Sequence, residues 1–137
     1  MSHYTEQIME ISDRNALMAA LADMGFTKDK VKTCAEPTRL EGYEGDQRNQ
    51  RAHVILPRKH VGGSSNDVGF ERMPDGRYRL HVSEYDLHCY GKAWQDQLMQ
   101  RYGYHVTLTD VDLIRDGYRV VEENKVGDAI QIVLSDD

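Results

Sequence analysis

Hydrophobic positions along this chain recur with two different periods, and the switches between them divide it into segments. The longest regular segment runs from Tyr90 to Arg115, YGKAWQDQLMQRYGYHVTLTDVDLIR. Trp94, Leu98, Tyr102 and Val106 are spaced by four, and Leu113 continues the row. Leu108, Val111 and Ile114 form a second stripe spaced by three. The spacing predicts one amphipathic helix of about six to seven turns. Gly103 costs about 1 kcal/mol there relative to alanine and marks the place for a kink. Burial of Trp94, Leu98 and Tyr102, at roughly 1.5–3 kcal/mol each, outweighs it. Asp116-Gly117 ends the helix. A shorter helix is predicted from Leu17, Ala20, Leu21 and Met24, with Ser12 or Asp13 as its N-cap and Gly25 as a left-handed C-terminal residue.

The remaining segments alternate with period two. His3 to Ile11 reads as a first strand, and Lys30 to Ala35 as a short one ended by Glu36-Pro37. Thr38 to Arg51 is polar and predicts a loop with at most a brief extended piece. Ala52 to Leu56 is an apolar strand stopped by Pro57, which cannot donate to a ladder. RKHVGGSSND follows, glycine- and serine-rich, and predicts a mobile loop. Val68 to Met73 and Arg77 to Val82 flank Pro74-Asp75-Gly76, a hairpin signal. On its second strand Tyr78, Leu80 and Val82 share one face, and Arg77, Arg79 and His81 share the other. Tyr118 to Glu123 and Ala129 to Leu134 form a closing hairpin around residues 124–128.

Strand, helix, two strands, hairpin, long helix and hairpin predict a single domain over residues 1–137. Its class is α+β: a two-layer sandwich, a mainly antiparallel sheet with two helices, one of them long, packed on one face. The other face is expected to be wet. A net charge of −6 disfavours nucleic acid as the main partner, since phosphate binding needs the opposite sign. No apolar run reaches the length of a membrane span, and MSHYTEQ lacks the pattern of an export signal. Cys34 and Cys89 form no metal-type pair. A soluble protein of a reducing compartment, the cytoplasm, is expected.

Candidate chemistry is sparse. His81, His88 and Cys89, with His105 on the long helix, lack zinc-type spacing, so no metal ligand is assigned. VGGSS lacks the GK[ST] ending of a phosphate loop. Asp110, Asp112 and Asp116, followed by Glu122-Glu123, show no convergence for acid–base work. Trp94 is the single tryptophan, a core residue with an interface anchor as the alternative. No catalytic or cofactor-binding residue is assigned, and an enzyme is disfavoured. The most basic stretch holds Arg58, Lys59 and His60, with Arg48 and Arg51 nearby. With Arg77, Arg79 and His81 it is the candidate partner-binding surface.

MSHYTEQ, ALMAALADMGF, GYEGD, AHVIL, DVGFERMPDGRYRL, WQDQLMQRYGYHV, GYRVVEE and AIQIVL together resemble a family of small proteins. It is known as hypothetical chloroplast open reading frame 35, or domain of unknown function 1257, with members in plastids, cyanobacteria, other bacteria and phages. The opening MSH, the VGF…DGRY hairpin and the Trp…Tyr-x-Tyr helix are its most specific parts. Residues 58–67 look expanded, and Gly103 stands where related helices carry alanine. The resemblance implies no catalytic residues. It implies a setting beside AAA-type ATPases, in the cytoplasm of a cell or infected cell or in the plastid stroma. The leading expectation is a non-catalytic adaptor that binds a protein partner such as an AAA-type ATPase. The alternative is a small-ligand, nucleotide or metal-binding protein using His81, His88 and Cys89 or the basic loop. A third is an enzyme whose site forms only with a second subunit.

Overall fold

The computed structural model describes residues 3–108, 118–126 and 129–136. Five strands form one antiparallel sheet: β1 (Tyr4–Met9), β2 (Lys32–Glu41), β3 (Gln47–Leu56), β4 (Val68–Arg72) and β5 (Tyr78–Ser83). Their order across the sheet is β1-β5-β4-β3-β2, so β2 to β5 form a meander and β1 adds to its far edge. The helices are α1 (Arg14–Asp23), the single turns α2 (Arg58–Val61) and α3 (Leu87–Tyr90), and α4 (Lys92–Leu108). β6 (Tyr118–Val126) and β7 (Ala129–Asp136) make the closing hairpin as a separate two-stranded sheet. The α+β architecture with helices against an antiparallel sheet is as the sequence pattern predicts.

The main core lies between one sheet face and the helices. Val54, Phe70, Tyr78, Leu80 and Val82 meet Leu17, Ala20 and Leu21 of α1 and Leu98 and Tyr102 of α4, all buried. Asp13 caps α1, its Oδ1 accepting from Ala16 N–H at 3.1 Å. The helix ends in a Schellman arrangement: Phe26 N–H bonds Leu21 O, and Gly25 N–H bonds Ala22 O, with Gly25 at φ +96°. The 74–76 turn closes as expected, Gly76 at φ +91° donating to Met73 O.

The long helix differs from the expectation at its start. It begins at Lys92, because α3 and Gly91 form a separate turn before it. Tyr90 belongs to that turn, where its ring stacks edge-on against Trp94 at 5.0 Å and its hydroxyl donates to Val61 O. The helix runs unbroken through Gly103. Residues 109–115, with Val111, Leu113 and Ile114, lie outside the described residues, as do Asp110, Asp112 and Asp116.

Three further expectations are corrected. β2 runs to Glu41 through Pro37, and β3 begins at Gln47, so much of the polar stretch 38–51 is a hairpin. β2 is an edge strand, and its pairing with β3 shifts register between Thr33 and Thr38, where a proline is tolerated. Residues 58–67 do not form a free loop: Ser65, Asn66 and Asp67 are buried. Nor is the second sheet face uniformly wet. Leu40, Ala52 and Ile55 form a small second core there, joined by Tyr4 and Cys34. The β2–β3 hairpin curls over this face, and Arg48 from it reaches the Tyr4 ring on β1, 5.2 Å from its centroid.

Candidate functional site

Gly69 on β4 is what lets the hairpin come down. A Cβ there would lie 2.6 Å from Ala52 Cβ and 2.8 Å from Leu40 Cδ2. Glycine therefore leaves the hollow that these two side chains fill. The 58–67 segment fixes the hairpin from the other side. Asp67 Oδ2 accepts from Glu41 N–H and Oδ1 from Arg58 N–H, both at 2.8 Å. Its own backbone donates to Glu41 O and accepts from the Tyr4 hydroxyl. Burial pushes the Asp67 carboxyl above the usual carboxylate range, against the two backbone hydrogen bonds that favour its ionised form. Asn66 extends the latch, its Oδ1 accepting from Tyr43 N–H at 2.9 Å. Its amide donates to Ser83 Oγ, and its N–H to Asp86 Oδ2.

Between the curled hairpin and the sheet lies a polar cleft of about 320 Å³. One wall is the sheet: Glu6 of β1, Arg79 and His81 of β5 and Glu71 of β4. The register puts them together, since Glu6 faces His81 and Glu71 faces Arg79 across neighbouring strands. Glu71 Oε1 takes His81 Nε2 at 2.9 Å and Arg79 Nη2 at 3.0 Å. Partial burial pushes the Glu71 carboxyl up, but these hydrogen bonds outweigh it and hold the group below the usual range. An ionised carboxylate only accepts, so His81 donates from Nε2. His81 is 1% exposed, and its Nδ1 has no hydrogen-bond partner. Glu6 Oε1 lies 3.8 Å from it. The other wall is the hairpin, with Asn49, Gln50 and Arg51.

A second concavity, of about 560 Å³, lies where the outer edge of β1 meets the start of α4. Ile8, Met9, Leu87 and Met99 line it, together with Glu10 and the ion-paired Lys92 and Asp96. Among the described residues β1 pairs on one side only, with β5. His3 O accepts from Glu84 N–H, which sets the ladder's alternation: Thr5, Gln7 and Met9 bond inward, and Glu6 and Ile8 direct N–H and C=O to the open edge. Ile8 is 46% exposed.

The six residues singled out from the sequence fall into separate places. Arg58, Lys59 and His60 form α2; Arg58 pairs with Glu41 at 3.6 Å, Lys59 is exposed and His60 half-buried. Arg77 is taken by Asp75 and Glu10 at 2.8 and 2.9 Å. Arg79 and His81 meet in the cleft. His88 and Cys89 are exposed on α3, away from the buried His81, and His105 pairs with Asp23. Among the described residues no three His, Cys, Asp or Glu side chains are grouped to hold a metal ion. Glu6, Glu71 and Asn66 escaped sequence reading. The only trace of the first was the alternation of β1, which puts Glu6 opposite Ile11's side of the strand.

The described residues thus make a two-layer α+β fold, with β1 at one sheet edge and a polar cleft beneath the β2–β3 hairpin. The chain belongs to the family described as "Protein of unknown function (DUF1257)", whose model matches residues 20–133. No curated protein and no solved structure matches it. No helix among the described residues is long and apolar enough to cross a membrane.

Proposed function

We propose that this protein is a non-catalytic binding module that docks an extended segment of a protein partner beside β1. The observation that carries the reading is the open β1 edge, with its outward N–H and C=O groups, lying next to the groove against α4. A segment added there would gain main-chain hydrogen bonds from β1 and seat one side chain against Leu87 and Met99. The chain's net charge of −6 favours basic residues around that apolar anchor. An AAA-type ATPase is the first partner to test, on the strength of the family resemblance. The cytoplasm or the plastid stroma is the proposed setting, where the free Cys34 and Cys89 would stay thiols.

The test is binding of the purified chain to an AAA-type ATPase from the same genome, with Ile8→Pro and Ile8→Lys variants. Proline removes only an outward N–H and suits an edge strand, so β1–β5 pairing survives. Ile8→Lys, a surface side-chain change, typically shifts stability by about 0.5 kcal/mol or less. Binding by the wild type and its loss in both variants, at unchanged circular dichroism, is the expected result. Undiminished binding by both variants overturns the β1 site, and no binding by the wild type overturns the ATPase partner.

A further inference from the structure

We propose that the outer face of the β2–β3 hairpin binds a phosphorylated side chain on an extended protein segment, gripped between Arg39 and Arg51. The carrying observation is their register: Arg39 on β2 lies directly opposite Arg51 on β3. Like charges so placed destabilise an antiparallel pair. Carboxylates are plentiful on a chain of net charge −6, and Arg58, Arg77, Arg79 and Arg101 each have one within 3.6 Å. Among the described residues Arg39 and Arg51 have none. Arg39 bonds only neutral acceptors: Arg48 O at 2.7 Å, Gln47 O at 3.3 Å, and Gln47 Oε1 and Asn49 Oδ1 at 3.4 Å. The exposed Arg51 side chain bonds nothing among the described residues.

Alternation on β3 puts these groups on one face. Gln47, Asn49 and Arg51 are exposed, whereas Arg48 and Gln50 are half-buried and Ala52 is buried. Glu41, opposite Gln47, is drawn to Arg58 at 3.6 Å, and Glu6 and Glu71 of the cleft are drawn to Arg79 at 3.6 and 3.0 Å. What remains on the outer face is two guanidiniums and two side-chain amides. A carboxylate would neutralise one of the two charges. A phosphate monoester, at about −1.5 to −2, neutralises both and offers oxygens to both forks. Its charged oxygens would displace the amide oxygens that stand 3.4 Å from Arg39. So open a face buries little of a free phosphate, which argues for one carried on a chain. The freed Gln47 and Asn49 amides can bond the main chain of that segment. The net charge of −6 opposes a nucleic acid as the carrier. β2 and β1 are opposite edges of the sheet, so this site stands independently of docking at β1.

The experiment is titration of the whole isotope-labelled chain with a blocked Ser/Gly peptide carrying one phosphoserine, followed by the arginine Nε resonances. The comparison arms are the unphosphorylated peptide, the peptide with Glu in place of phosphoserine, inorganic phosphate, and a DNA oligonucleotide. The phosphopeptide is expected to bind most tightly and to shift the Arg39 and Arg51 resonances together. Arg51→Gln should weaken it roughly tenfold or more, the usual worth of a charged hydrogen bond, and Arg51→Lys should restore part of the loss. In phosphate-free buffer Arg51→Gln should raise Tm, because it removes the like-charge pair; a purely structural arginine would give the opposite sign. No shift at millimolar phosphopeptide overturns the proposal, as do equal binding of the Glu peptide and unchanged affinity in Arg51→Gln. Inorganic phosphate or the oligonucleotide binding as tightly as the phosphopeptide overturns the protein segment as the carrier.

Discussion

The Tyr102 hydroxyl on α4 accepts hydrogen bonds from the backbone of Asp13, at 3.0 Å, and equally from Ser12 beside it. One phenol thus satisfies two amides at the start of α1, while the Asp13 side chain caps the same helix. Tyr102→Phe keeps the ring's packing and strands both donors. It should lower unfolding free energy by about 1–3 kcal/mol, seen as a lower urea midpoint with an unchanged slope.

Asp67 receives the N–H groups of Glu41 and Arg58 on its two oxygens. Asn at this position turns an NH2 toward one of them, leaving a donor facing a donor. Asp67→Asn should cost about 1–3 kcal/mol. Amide exchange in residues 39–51 should quicken more than in the β4–β5 hairpin, because the hairpin loses its latch.

The same substitution should act in opposite directions at two glycines. Gly69→Ala forces a methyl against Ala52 and Leu40 and should destabilise by about 1–3 kcal/mol. At Gly103, exposed in mid-helix, an added Cβ meets nothing within 4 Å. Gly103→Ala should stabilise by about 0.5–1 kcal/mol. Thermal melts of the two variants, read side by side, check both signs.

Stability should fall in acid through Glu71. Its folded-state carboxyl lies below the unfolded value, so its contribution is present above about pH 4.3. That contribution is lost as pH falls through the depressed folded value, where the bonds from His81 and Arg79 weaken. Glu71→Gln should flatten that part of the stability–pH curve. An equally steep acid loss in the variant would assign it to other carboxylates, such as Asp23 beside Arg101 and His105.

What could be read from the sequence was what short-range rules determine. The DGRY hairpin, the Asp13 cap and the Gly25 terminus each need only a few neighbouring residues, and all three formed as expected. The β2–β3 hairpin escaped because, between Leu40 and Ala52, its strand residues are exposed or half-buried and polar, which leaves no apolar alternation to read. Residues 58–67 looked mobile from their glycines and serines. What orders them are Tyr4, Glu41, Tyr43 and Asp86, remote in sequence and invisible to local pattern. His81 was placed on the correct face but taken as solvent-facing, since nothing local shows that a hairpin folds down over it. Its pairing with Glu71 and its neighbour Glu6 both depend on strand order, which the sequence leaves open.

Strand order also governs time. β2, β3, β4 and β5 are neighbours in both sequence and space, so each can join the sheet as it leaves the ribosome. β1 is made first, yet Tyr4 pairs with Ser83 and Met9 with Tyr78. It must wait until β5 has emerged, and such distant closures come late in folding. Met9 and Ile11 stay outside the core until then, and so does the Tyr4 hydroxyl that ties down Asp67. β1, made before the other four strands, is therefore the last of them to be placed in the sheet. A nascent chain halted before Tyr78 would hold β1 without the strand it pairs with.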